Sequence, residues 1–263
     1  MNILDKIVVH KRKEVEERKS LYPVKLLEKS RYFNSETVSL KKYIKREDKF
    51  GIIAEYKKKS PSKGIINEFA KVERTTVGYM QAGASALSIL TDNHFFGGSN
   101  KDLSTARKFN FCPILRKDFI IDEYQILEAK SIGADAILLI SAILDKERVK
   151  FLAEFAHSLQ LEVLLEIHNE NELEVLNGNI HLVGVNNRNL ENFTVDINTS
   201  IQLSELIPDE FVKVSESGIS NPETIIELRK YGYRGFLIGE TFMRSARPSK
   251  ACKNFIKDLK LIN

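Results

Sequence analysis

From residue 50 onward, short apolar and β-branched runs alternate with longer stretches whose apolar positions recur at helical spacing. The runs are FGIIAEY (50–56), ALSIL (86–90), CPILR (112–116), AILLIS (136–141), EVLLEI (162–167), HLVGVN (181–186), VKVSE (212–216) and GFLIGE (235–240). Each has strand length and is nearly continuous in apolar character, the pattern of strands covered on both faces. Helices are expected over 67–83, 122–134, 145–160 and 221–233, among others. Gly83, Gly133 and Gly232 stand where helices should stop. Asp145 and Asn221, the latter followed by Pro222, read as helix openings.

Eight strand–helix units in one chain predict an α/β fold, a closed (β/α)8 TIM barrel. An open doubly wound sheet competes, but no GxGxxG follows the first run. Residues 1–45 precede the barrel. Ile3, Ile7 and Val8 share a helical face, and Val24, Leu26 and Leu27 form a second apolar patch after Pro23. The expected organisation is a single domain over 1–263, with a helical extension (1–45) packed on the barrel (46–263).

The 263 residues, 43% hydrophobic and 29% charged, suffice for a sizeable core and exclude disordered, collagen-like and coiled-coil classes. No apolar stretch approaches the ~20 residues that span a bilayer, and the N-terminus lacks the apolar region of a secretory signal. Two cysteines, Cys112 and Cys252, form no motif, so a reducing, cytoplasmic setting is expected. The net charge of +4 is uneven: residues 1–50 carry 14 Lys/Arg against 8 Asp/Glu. Nucleic-acid binding would use such a segment. The acidic residues are interleaved with the basic ones, however, which favours the solvated face of amphipathic helices.

In a barrel of this kind the active site lies at the C-terminal strand ends. The first run delivers Glu55 and Lys57, the third Lys117 and Asp118, the fifth Glu166, the sixth Asn186 and Arg188, and the seventh Glu216 and Ser217. Any one of these could be a solvated loop charge; together they point to one mouth. The loops at Ser217–Gly218 and Gly239–Glu240 follow runs seven and eight, where barrels commonly hold phosphate on backbone N–H groups. SPSKG (60–64) offers another anion-binding turn. A lysine kept protonated among carboxylates can act as general acid, with a glutamate as complementary base. The alternative is an ion-pair network that only stiffens the rim. The five histidines form no metal-ligand spacing, and His168 is expected in a loop or capping role.

The ordered segments AEYKKKSPSKG (54–64), LSILTD (87–92), FFGGS (95–99), PILRKDF (113–119), GADAILLI (133–140), GVNNRNL (184–190) and VSESGI (214–219) resemble the indole-3-glycerol phosphate synthase family. The resemblance implies a decarboxylating, dehydrating ring closure of 1-(2-carboxyphenylamino)-1-deoxyribulose 5-phosphate in tryptophan biosynthesis, with no cofactor and no metal. It implies Lys117 as general acid, Glu166 as its acid/base partner, and Lys57 on the anthranilate carboxylate or sharing proton transfer. Glu55, Asn186, Arg188 and Glu216 would orient the substrate and the lysines. Ser60, Ser217 and backbone groups near Gly218, Gly239 and Glu240 would hold the phosphate; Glu240 departs from relatives with a small hydroxyl residue there, and its backbone N–H could donate with the side chain turned away. Phe96, Phe119 and Leu139 would wall the anthranilate ring.

A sister barrel, phosphoribosylanthranilate isomerase, would need a cysteine near the end of the first strand, where AEYKKKS has none. The expected partner is a small phosphorylated substrate, with no nucleic acid and no membrane. A monomer is expected, with weak association with other pathway enzymes left open. The last helical stretch lies close to residue 263, and no fused second activity is expected.

Overall fold

The first strand pairs with the last, and this pairing closes the sheet. The computed structural model describes residues 2–190 and 192–262. Its eight parallel strands are β1 (Ile52–Tyr56), β2 (Ala86–Leu90), β3 (Ile114–Lys117), β4 (Ala136–Ile140), β5 (Glu162–Ile167), β6 (Leu182–Asn186), β7 (Val212–Glu216) and β8 (Gly235–Ile238). Each pairs with its neighbours in sequence, and β1 closes on β8 with Ile53 opposite Leu237. The expected (β/α)8 barrel is the fold.

Strand ends differ from the sequence reading by one or two residues, for local reasons. Gly51 is left-handed (φ 74°), and a Cβ there would meet the Arg234 carbonyl oxygen at 1.7 Å, so β1 starts after it. The helix expected over 67–83 begins at Val72. Asn67 donates from Nδ2 to the carbonyls of Met243 and Ser245 and accepts from the Ala70 N–H, which ties 67–70 to the last loop of the barrel. Helix stops and starts follow the expected chemistry. Gly83 and Gly133 cap their helices in the left-handed region, and the side chains of Asp145 and Asn221 accept from Arg148 N and Thr224 N. Between β5 and β6 the connection is a 3-10 segment, Glu170–Val175, in place of an α-helix.

The two faces of the strands feed two cores. Ile52, Ala54, Leu87, Ile89, Ile137, Leu139, Val163 and Leu165 face the helix layer. Ile53, Ala86, Leu115, Ala136, Leu138, Leu164, Leu182, Val214 and Leu237 fill the barrel. Helix Leu40–Ile44 adds Leu40 and Ile44 to that inner cluster. It is tied to the first residue of β5, Glu162, by Ser39 Oγ and by Lys41 N at 2.7 Å, and so plugs the N-terminal end.

Helix α1 (Ile3–Leu21) opens with a capping box between Asn2 and Asp5. Its buried stripe is Ile7, Lys11 and Val15, spaced by four. Of the second patch only Leu27 is buried, while Val24 and Leu26 are exposed. Among the described residues no helix is long and apolar enough to cross a membrane.

Candidate active site

Alternation along a strand sends every second side chain into the barrel. Two residues beyond the inward-facing Ile53, Leu115, Leu164 and Val214 of the odd strands stand Glu55, Lys117, Glu166 and Glu216. Two beyond Ser88, Leu138, Gly184 and Leu237 of the even strands stand Leu90, Ile140, Asn186 and Gly239. All eight line one mouth that opens at the C-terminal strand ends. A layer that is aliphatic deeper in the barrel thus becomes three carboxylates and one ammonium at the top.

The ammonium sits among the carboxylates. Lys117 Nζ donates to Glu166 Oε2 at 2.9 Å and to Glu216 Oε2. Asn186 Nδ2 donates to Glu166 Oε1 at 3.0 Å, while its own Oδ1 accepts from Arg188 N. Lys57 Nζ lies 2.7 Å from Glu55 Oε1, and Ser88 Oγ donates to Glu55 Oε2 at 3.3 Å. Two glycines make room for these carboxylates. A Cβ on Gly239 would stand 2.5 Å from Glu55 Oε1, and one on Gly184 would collide with Glu216.

Burial opposes charge on Lys117, but Glu166, Glu216 and Glu55 outweigh it and hold the ammonium well above the ordinary lysine range. Burial likewise opposes ionisation of Glu166, yet Lys117 and His168 overcome it and keep that carboxylate ionised. For Glu216 burial wins: with Glu166 and Glu55 repelling a further negative charge, its carboxyl is pushed up to about 7 despite Lys117. Glu216 is thus the carboxyl of this pair with Glu166 that takes up a proton toward neutrality.

At the other side of the mouth lie Ser60, Arg188, Ser217, Gly218, Gly239, Glu240 and Thr241. Ser217 and Gly218 are both left-handed (φ 68° and 79°), a costly backbone for serine of the kind concentrated at functional loops. Glu240 opens a four-residue helix and stands between two cations, 3.6 Å from Arg188 Nη2 and 3.8 Å from Lys63 Nζ. Its side chain therefore does not turn away, as the sequence suggested; it faces the cations of this subsite.

Phe96 and Phe119 both line the mouth, ring centroids 5.8 Å apart and tilted by 40°. Leu139 does not: it faces the helix layer, and its neighbours Leu138 and Ile140 supply the apolar wall from β4. Ile3, Leu4 and Ile7 of α1 complete that wall, a role the sequence reading did not give the extension. Cys112 and Cys252 are buried away from the mouth, and burial pushes both thiols up to about 12.

Two further clusters were missed. Lys11 is fully buried, with its ammonium 2.9 Å from Asp92 Oδ2, 3.0 Å from Asp118 Oδ1 and 2.9 Å from Glu14 Oε2. Asp92 Oδ1 in turn accepts from the N–H groups of Phe95 and Phe96, and Asp118 also pairs with Arg116. One lysine of α1 thus ties the extension to the loops that carry Phe96, Lys117 and Phe119. The second cluster is His168, in the loop after β5 as expected, where it sits between Glu166 and Glu172.

Known proteins share this chain's sequence along nearly its whole length. The family model described as indole-3-glycerol phosphate synthase matches residues 4–255. The indole-3-glycerol phosphate synthase of Bacteroides thetaiotaomicron is 50% identical over 256 residues, 97% of this chain and 98% of that protein. Those of Campylobacter fetus and Thermoanaerobacter pseudethanolicus are 43% and 42% identical over 259 residues, 98% of this chain and 99% and 98% of those proteins. Among solved structures, a tryptophan synthase alpha-subunit of Pyrococcus furiosus superimposes with a TM-score of 0.61 at 15% identity, covering 81% of this chain and 98% of that one. At that identity the likeness speaks for the barrel alone. The family match and the full-length relatives speak for more: the chain belongs to the indole-3-glycerol phosphate synthase family.

Proposed function

We propose that this chain closes the indole ring of 1-(2-carboxyphenylamino)-1-deoxyribulose 5-phosphate, releasing carbon dioxide and water to give indole-3-glycerol phosphate. The observation that carries this reading is Lys117, a buried ammonium gripped by Glu166 and Glu216 at the floor of a mouth with an apolar wall on one side and cations on the other. A substrate with an aromatic carboxylate at one end and a phosphate at the other needs both sides.

The extended substrate is anchored at its two ends. Phe96, Phe119, Leu138 and Ile140 cover the anthranilate ring, with Lys57 beside its carboxylate. Arg188, Ser60, Ser217 and the backbone N–H groups around Gly218, Gly239 and Glu240 take the phosphate. Fixing both ends folds the chain between them, so that the aromatic carbon lies against the ketone and attack becomes intramolecular.

Lys117 faces the ketone oxygen. Because its carboxylate neighbours make it a weak acid, it first stabilises developing negative charge and passes its proton only as the oxygen becomes an alkoxide. Glu216, protonated near neutrality, stands next to the amine that remains and can restore the proton. Attack places a tetrahedral carbon at the carboxylate-bearing position, and loss of carbon dioxide returns that ring to aromaticity. Dehydration then needs an acid for the leaving hydroxyl and a base for the departing proton. Lys117 supplies the first and ionised Glu166 the second, with Glu55 and Asn186 holding the geometry.

The test is direct. The purified chain, given this substrate, should develop indole absorbance and fluorescence, visible without background because the chain contains no Trp. No indole product at substrate concentrations that saturate relatives of the family would overturn the reading.

A further inference from the structure

Glu166 and Glu216 are chemically alike, equally buried, and hold the same ammonium, yet the proposed reaction needs them in different protonation states. What distinguishes them is on the far side of Glu166. His168, the first residue after β5, lies on the same inward parity as Glu166. Its Nε2 is 3.3 Å from Glu166 Oε1, and its Nδ1 is 3.3 Å from Glu172 Oε2. The ring is largely buried and does not line the mouth.

Glu172 is itself fixed. It accepts from His168 N at 2.9 Å, from Ser141 Oγ, and from Asn169 Nδ2 at 2.8 Å. Ser141 also reaches back to the Glu166 carbonyl at 2.8 Å. The 3-10 segment that replaces the helix after β5 brings Glu172 to this position, four residues past the histidine.

We propose that His168 is a positioning residue that makes Glu166, and not Glu216, the ionised partner of Lys117. Glu166 has a donor on each oxygen, Lys117 on Oε2 and Asn186 on Oε1, and the His168 ring stands 3.3 Å from Oε1 as a second cation. Glu216 has Lys117 on Oε2 but only the Gly184 backbone face and no hydrogen-bond donor at Oε1. The charged groups bearing on Glu166 are therefore Lys117, Glu216, Glu55 with its partner Lys57, and His168. Those bearing on His168 are Glu166 and Glu172. Burial alone would discharge the imidazole, but the two flanking carboxylates hold it protonated, up to about 10. The second carboxylate matters, because Glu172 adds its own contact and charge to those of Glu166 against the effect of burial. Glu172 thus sustains the charge on His168, and His168 sustains the charge on Glu166.

This inference rests on the proposed acid/base role of Glu166, and two measurements keep the two claims separate. The first needs no substrate. In a 13C NMR titration of glutamate-labelled protein, one site carboxyl should titrate near neutrality, and Glu216→Gln should abolish that signal. In His168→Gln, with Glu216 still present, the near-neutral titration should spread over two carboxyl resonances, because Glu166 now competes with Glu216 for the proton. If a single resonance, that of Glu216, still titrates near neutrality in His168→Gln, the proposal fails whatever the enzyme does.

The second is kinetic. In His168→Gln the acidic limb of the kcat profile should move up by about one pH unit, with KM changing less than about twofold. Glu172→Gln, which leaves the ring in place, should move the limb in the same direction by less. A loss that is uniform across pH and tracks the fraction of folded protein would mean a structural role only, and would overturn the proposal. Wild-type protein with no turnover would instead sink the functional reading and leave the titration to decide the electrostatics.

Discussion

Gly184 of β6 lies so close to Glu216 of β7 that a Cβ on the glycine would stand 2.3 Å from Glu216 Oε1. That is far inside van der Waals contact, and the carboxylate cannot retreat, because its other oxygen is held by Lys117. Gly184→Ala should therefore push Glu216 out of the Lys117 grip without touching the substrate's own contacts. The expected result is a kcat lowered by about tenfold or more, with a smaller change in KM. Wild-type kcat in this variant would show that the position of Glu216 does not matter to turnover.

Removing the acid itself should be more severe. Lys117→Ala leaves Glu55, Glu166 and Glu216 with only Lys57 and His168 as cations, and protons from water can neutralise the excess because the site opens to solvent. The fold is expected to survive, with an unchanged circular dichroism spectrum, while turnover falls by about 100-fold or more. Substantial residual activity would remove Lys117 as the general acid.

The Glu216 carboxyl makes a prediction about stability. Its proton is held to about 7 in the folded protein against an ordinary value of 4.5, so the folded state binds more protons between those limits. The stabilisation is complete below the ordinary value and is lost as pH rises through about 7. Glu216→Gln cannot ionise, so its Tm relative to wild type should increase from about pH 5 to about pH 8. Glu166 and Asp118 are displaced the other way, so their contribution is lost only as pH falls below the ordinary carboxylate range, in both proteins. A Tm difference that is flat across pH would show that Glu216 is ionised throughout.

Lys11 joins stability to the site. With its side chain fully buried against Asp92 and Asp118, Lys11→Met would strand two carboxylates in the interior. Losing one partner of a buried ion pair costs about 3–5 kcal/mol. A loss of unfolding free energy of that size, read by denaturant titration, should accompany a raised KM, since Asp92 holds the backbone of Phe96 and α1 supplies Ile3, Leu4 and Ile7 to the mouth. Stability near wild type would mean the lysine is dispensable to the packing of the extension.

These residues also mark where sequence reading succeeds and stops. All eight strands were legible because each buries both faces and reads as an apolar run. Glu55, Lys117, Glu166, Asn186 and Glu216 were legible only together: any one alone could be a solvated loop charge, but polar residues follow the apolar run in strand after strand. The same double burial hid the parity of β4: in AILLI nothing polar marks the inward face, and Leu139 was chosen where Leu138 and Ile140 point in. Lys11 was hidden by its charge, although its spacing of four from Ile7 and Val15 places it on the buried stripe. His168 sits at the alternate position after Glu166, a visible pattern. Its partner Glu172 comes from an irregular 3-10 turn that no periodicity announces.

Glu240 offers the sharpest test at the phosphate end. Its carboxylate stands between Lys63 and Arg188, the place an incoming phosphate would seek on the proposed reading. An anion binding there must displace the carboxylate from its cations or share them with it, and like charges at such a distance repel. The groups are partly exposed, so water screens the effect to a few-fold. Glu240→Gln keeps the backbone N–H and the size of the side chain but removes the competing charge. The substrate KM should fall by about two- to fivefold, and inorganic phosphate should inhibit more strongly by a similar factor. Both gains should shrink at high salt, because free cations are screened as their carboxylate was. If KM rises instead, the carboxylate is assisting substrate, most directly by holding Arg188 in place, and the subsite is built around Glu240 instead of in spite of it.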